Sequence, residues 1–128
     1  MIESPIAATR VVMEVARMLA RWKTPPMLEL RPNCELCDRD LPPADPSARI
    51  CSYECTFCDD CVEHTLENVC PNCGGGFVPR PIRPRGAWRP ATGLEHDPPG
   101  DRRRKAGYSS EQIAELVERL HAIPPAQR

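Results

Sequence analysis

The chain has 128 residues, 16 prolines and 5% aromatic side chains, a composition that excludes one large hydrophobic core running through its whole length. All eight cysteines lie between Cys34 and Cys73, so any covalent or metal staple is confined to that middle segment. The net charge of -1 hides a division, because residues 27–73 hold three arginines against ten acidic residues while residues 74–128 hold ten basic against six acidic.

At the amino terminus, Ser4 caps and Pro5 opens a helical pattern in which Ile6, Val11, Val15, Met18, Leu19 and Trp22 recur. The spacing predicts an amphipathic helix over about 5–22, ended by Thr24-Pro25-Pro26. Met27 offers a second translation start, which makes residues 1–26 an optional extension. The apolar run Val11-Val12-Met13 is closed by Glu14 and followed by Arg17 and Arg21, so it predicts neither a secretory signal nor a transmembrane segment. The expectation is a cytoplasmic protein with reduced thiols, in which paired cysteines hold metal instead of crosslinking.

The cysteines follow the order Cys34-x2-Cys37-x13-Cys51-x3-Cys55-x2-Cys58-x2-Cys61-x8-Cys70-x2-Cys73. Eight thiolates match two tetrahedral zinc sites of four cysteines each, closed and structural, so the expected cofactors are two Zn2+. The division of ligands follows from the next element. Asp59 and Asp60 suit a helix start, and Val62, Leu66 and Val69 sit on one face, which predicts about two turns over 62–68. Those turns rise by roughly 10 Å, whereas sulfurs sharing a zinc lie about 4 Å apart. Cys61 and Cys70 therefore belong to different metals. The alternating scheme puts Cys34, Cys37, Cys58 and Cys61 on the first zinc and Cys51, Cys55, Cys70 and Cys73 on the second. Glycines 74–76 supply the positive φ values expected after a zinc knuckle.

Beyond the last cysteine, Pro79-Arg80-Pro81-Ile82-Arg83-Pro84-Arg85 and Arg102-Arg103-Arg104-Lys105 have few apolar neighbours, and residues 85–108 read as a basic flexible linker rich in proline and arginine. Ser109 with Gln112 resembles a capping box, and Ile113, Leu116, Val117 and Leu120 form one apolar stripe. A terminal amphipathic helix over about 110–122 follows, within a last unit of residues 109–128.

The interleaved pairs, Leu36 before the second cysteine, Val62 and Leu66 after the sixth, and Cys70-Pro71-Asn72-Cys73 at the end resemble a RING-type cross-brace, a treble-clef relative. Residues 27–84, with Leu-Arg-Pro-Asn-Cys, Glu-Cys-Thr-Phe-Cys and Cys-Pro-Asn-Cys-Gly-Gly, are more closely similar to the bacterial domain of unknown function 1272 family. The resemblance implies a small zinc-stabilised α+β fold without an established activity, here flanked by a helix on each side.

Five other readings compete with this one. A ferredoxin-type cluster on Cys55, Cys58, Cys61 and Cys70 leaves four cysteines unused, whereas zinc uses all eight. His64 can replace a cysteine, but a solvated helix-face histidine fits a chain that already has eight thiols. Ubiquitin-ligase activity through Leu36 and the Pro71 loop is the first functional alternative, weakened by glycines where such ligases place a basic residue. The second is nucleic-acid binding by the tail, with Trp88 between Arg85 and Arg89, opposed by the acidic middle segment. Asp59, Asp60, Glu63 and Glu67 lack a partner nucleophile and read as a solvated face. The expected protein is thus nonenzymatic, a zinc-binding structural module whose partner is another protein.

Overall fold

The computed structural model describes residues 27–128, so the helix expected over 5–22 lies outside the described residues. Three very short strands carry the centre: β1 (Ala48–Ile50), β2 (Thr56–Cys58) and β3 (Val78–Pro79), in the order β2-β1-β3 and all antiparallel. Cys51 through Cys55 form the tight β1–β2 turn. Its Cys51 amide donates to the Cys55 carbonyl at 3.2 Å, and Glu54 adopts φ 66°. The register opposes Ala48 to Cys58 and Ile50 to Thr56. The two ends of the hairpin are thereby marked by different cysteines.

Helix α1 (Asp59–His64) follows β2 without a gap, with Asp59 and Asp60 in its first turn where negative charge is favoured. The helix expected over 62–68 therefore starts earlier and stops earlier. Its end is enforced by the backbone: the Leu66 amide reaches back to the Cys61 carbonyl at 2.8 Å, and Glu67 and Asn68 take φ of 46° and 62°. This left-handed turn swings the chain round so that Leu66 and Val69 still enter the core. Their spacing is helical, but only part of the stripe is helix.

Helix α2 (Ser110–Leu120) carries both halves of the anticipated capping box, with Ser109 Oγ accepting from the Gln112 amide and Gln112 Oε1 accepting from the Ser109 amide. Its stripe packs on the core, burying Ile113 and Val117 and half-covering Leu116 and Leu120. A 3-10 turn (Pro125–Gln127) follows. The core joins these side chains to Phe57, Leu41, Val62, Leu66 and Val69, and Phe57 meets Phe77 edge to face at 5.4 Å. Of the apolar residues expected near the cysteines, Leu36 is only half-buried. Among the described residues no helix is long and apolar enough to cross a membrane.

Within residues 85–108, expected as a flexible linker, and at Arg83 just before them, the chain is tied to the cysteine-bearing segment instead. Arg83 donates to the carbonyls of Leu28 and Asp97, and a turn closes where the Leu94 amide meets the Pro84 carbonyl at 2.9 Å. Farther on, the amides of Gly100 and Ala106 donate to the carbonyls of Leu30 and Glu35. Backbone bonds need no apolar side chain, which is why a composition poor in core residues did not announce them.

With so small a core, buried polar groups hold the loops. Arg80, 4% exposed, donates through Nη1 to the Arg31 carbonyl at 2.8 Å and through Nη2 to those of Leu41 and Pro42. One guanidinium thus fastens β3 to the segment that carries the first cysteines. Arg80→Met keeps the length of the side chain and removes every donor. We expect it to lower unfolding free energy by about 3 kcal/mol in urea at matched metal concentration, whereas Arg85→Met on the exposed loop should change it little.

Candidate metal centres

Two Cys-x2-Cys turns repeat one backbone design. In the first, the Asp38 amide donates to the Cys34 carbonyl at 3.0 Å and the Cys34 amide to the Arg39 carbonyl at 2.8 Å. In the second, Gly74 donates to Cys70 at 2.7 Å and Cys70 to Gly75 at 2.8 Å. Each turn needs a left-handed residue after its second cysteine, filled by Asp38 at φ 66° and Gly74 at φ 78°. Aspartate tolerates that conformation better than most residues, and glycine adopts it without strain. Of the three glycines expected at positive φ, only Gly74 has it. Gly75 lies against Cys73 Sγ, and a Cβ on Gly76 would come within 2.8 Å of Pro125 Cγ.

The hairpin and α1 supply the remaining sulfurs. Cys51 and Cys55 stand at the β1–β2 turn, while Cys58 ends β2 and Cys61 sits in α1. A strand advances about 3.3 Å per residue, so Cys55 and Cys58 are carried roughly 10 Å apart along the hairpin. The first turn closes on one end: Cys34, Cys37, Cys58 and Cys61 place every sulfur within 4.8 Å of every other. Cys37 and Cys58 are 3.7 Å apart. At the other end Cys51, Cys70 and Cys73 form a second such group. Cys55 shares the β1–β2 turn with Cys51, its carbonyl accepting from the Cys51 amide, but its sulfur falls outside the mutual 4.8 Å set. The two groups interleave along the chain, and Cys61 and Cys70 lie in different ones.

The donor set fits metal ions. All eight cysteines are free thiols, and the sulfur spacing suits a tetrahedron of Zn-S bonds near 2.3 Å. Backbone amides point at the sulfurs, from Tyr53 to Cys51 at 3.3 Å and from Gly75 to Cys73 at 3.4 Å, which stabilises thiolate. Within each group the thiols share protons unevenly. The bond from the Cys70 thiol draws Cys55 down to about 5 against the effect of burial, and the same bond together with burial pushes Cys70 up. Burial pushes Cys51 up to about 11. In the first group burial raises Cys58 and Cys61, while bonds from the Arg39 amide and the neighbouring thiols overcome burial and lower Cys37. Among the shifted thiols, Cys37 and Cys55 are thus the ones drawn toward thiolate.

His64 is exposed on α1 and belongs to neither group, its nearest acidic partner being Glu63 at 3.9 Å. Asp60, Glu63 and Glu67 are likewise exposed. What the cysteine pattern did not announce is the polar frame around the first turn. Asn33 is fully buried and donates to the Cys34 carbonyl and to Asp38 Oδ1, both at 3.0 Å. Glu35, 4% exposed, accepts from Arg31 at 3.0 Å and from the Thr56 amide, joining the turn to β2. The only signal in the sequence was Asn33 and Glu35 flanking Cys34.

The model of the family described as "Protein of unknown function (DUF1272)" matches residues 27–83, which contain all eight cysteines and stop before the basic tail. An uncharacterized protein of Rhizobium meliloti (strain 1021) is 64% identical over 58 residues, covering 45% of this chain and 69% of the relative. No solved structure matches the chain.

Gly74 offers a direct test of the second turn. A Cβ there would sit 3.1 Å from Leu120 Cδ1 on a left-handed backbone, so strain and the contact with α2 act together. Gly74→Ala should cost about 1–2 kcal/mol and lower the thermal midpoint by several degrees, whereas Gly107→Ala, where a Cβ meets nothing within 4 Å, should be close to neutral.

Proposed function

The chain belongs to the DUF1272 family of proteins of unknown function, and from its paired sulfur groups we propose that residues 27–84 form a two-zinc, RING-like cross-brace whose role is to present a surface to another protein. The observation that carries this reading is the interleaving itself. Cys34 and Cys37 gather with Cys58 and Cys61, while Cys51 gathers with Cys70 and Cys73 across them. Cys55, at the same β1–β2 turn as Cys51, is the fourth thiol of the second site in this reading. Zinc suits eight thiolates in closed sites, and such metals act by folding the chain, not by chemistry. A reducing, cytoplasmic setting follows, since the thiols must stay reduced to bind.

A role in protein contacts is favoured over nucleic-acid binding because Arg103 and Arg104 are engaged by Asp38, Asp40 and Glu29. Phosphate contacts would have to displace those carboxylates. A nonenzymatic role is part of the same proposal.

Native mass spectrometry of the reduced protein should find two zincs per chain, and Cys58→Ser should leave one, retained by the group that contains Cys51. Bound iron, a single metal in the unaltered chain, or four disulfides would overturn the reading. Because burial raises Cys51, Cys58 and Cys61, and the bond with Cys55 together with burial raises Cys70, these thiols keep their protons near neutral pH and zinc uptake must expel them. Loading the metal-free chain at pH 7 should therefore release protons into a weakly buffered indicator solution, and zinc affinity should fall steadily as pH is lowered from 7 to 5.

A further inference from the structure

Deepening the protein-contact reading above, we propose that the acidic edge beside the first cysteine turn is a binding site for an extended basic peptide segment of a partner protein. Residues 103–106 of this chain occupy it in cis and hold it closed.

The site is read from what the resident segment touches. Asn33 is 0% exposed, and its amide pairs with both main-chain polar groups of a single tail residue. Its Oδ1 accepts from the Arg104 amide at 3.1 Å, and its Nδ2 donates to the Arg104 carbonyl at 2.8 Å. This pairing reads main chain, so it selects extended conformation and register without regard to side chain. Two further backbone bonds keep the register, from the Gly100 amide to Leu30 at 3.0 Å and from the Ala106 amide to Glu35 at 2.8 Å. The tail therefore runs alongside residues 30–35 in the same direction.

Side-chain selection is added at three positions. Arg103 donates to Asp40 at 2.6 Å and to both the carboxylate and the carbonyl of Asp38. Arg104 reaches Glu29 at 2.8 Å. Ala106 is buried at 8% exposure, and Lys105 between them is exposed. The preferred ligand is thus an extended Arg-Arg-x-small segment.

The site and its occupant are separable. Glu29, Asn33, Glu35, Asp38 and Asp40 all lie inside residues 27–83, the span matched by the family model, whereas residues 103–106 lie outside it. The exposed arginine pairs are weak and screened by salt. What keeps the tail seated is its tether, which holds it at an effective concentration in the millimolar range. A partner segment must compete with that, so the closed form masks the site.

The test uses the full-length chain carrying Arg103→Glu and Arg104→Glu, which sets like charges against Asp38, Asp40 and Glu29. The probe is a fluorescent synthetic peptide with the sequence of residues 98–108, followed by anisotropy. The double variant should bind the probe at least tenfold more tightly than the unaltered chain. N-methylation of the probe at the Arg104 nitrogen, which removes the donor to Asn33, should weaken binding at least tenfold with every charge retained. Equal binding of the methylated probe would mean attraction by charge alone and would overturn the proposal. Absence of binding to a variant that keeps its metals and its helix content would overturn it too, and would leave the zinc module standing, since metal content is measured on the same samples.

Discussion

A single hairpin with strands three residues long decides where the sulfurs go. Cys51 and Cys55 are fixed at its turn and Cys58 at its open end, so the strand length itself separates the two groups and forbids the dense run from Cys51 to Cys61 from closing on one metal. The two Cys-x2-Cys turns are interchangeable in backbone design, yet each is delivered to a different end of the hairpin. The first arrives through Glu35, which is held by Arg31 and accepts from the Thr56 amide of β2, while Asn33 fixes the Cys34 carbonyl within the turn. The second arrives through the left-handed turn at Glu67 and Asn68, after α1 has carried the chain away from Cys58.

Such a frame leaves little room for apolar stabilisation, and the fold compensates with buried polar groups used as fasteners. Among the described residues Arg80 forms no salt bridge, and it serves as a donor to three carbonyls of loops that no sheet could pair. Burial lowers its pKa, with Asp45 opposing that effect, and a guanidinium remains charged under this load where an ammonium would not. At the far end Arg128 does similar work, donating to the carbonyls of Asn68 and Gly74 and so locking the second turn to the segment after α2. These bonds give the loops a single arrangement, which a core of Phe57, Leu66 and Val69 alone does not specify.

The parts legible in the sequence are those written as spacing. Eight cysteines with a helix between the sixth and seventh pointed to two interleaved groups, of which the structure gathers four sulfurs and three, and Ser109 with Gln112 marked the start of α2. Strands of two or three residues carry no readable alternation, so the sheet was accessible only through the RING resemblance. The stripe Val62, Leu66, Val69 named the right core residues and the wrong helix boundaries, because burial follows the stripe while the backbone leaves the helix at Thr65. Asn33 was invisible as a functional residue, since its partners at Arg104 are 71 positions away and are main-chain atoms.

The segregation of charge along the chain takes on a different meaning once the tail is seen in place. An acidic middle and a basic end attract each other in any arrangement, and exposed pairs such as Arg103 with Asp38 and Asp40 contribute little beyond proximity. Long-range attraction therefore chooses the neighbourhood but not the seat. The seat is chosen by an uncharged side chain, Asn33, already committed through Cys34 and Asp38 to the shape of the first cysteine turn. Any loss of that turn would reorient the amide and release the tail while leaving every charge in place. Docking of the tail is in this way coupled to the geometry of the first sulfur group as well as to charge.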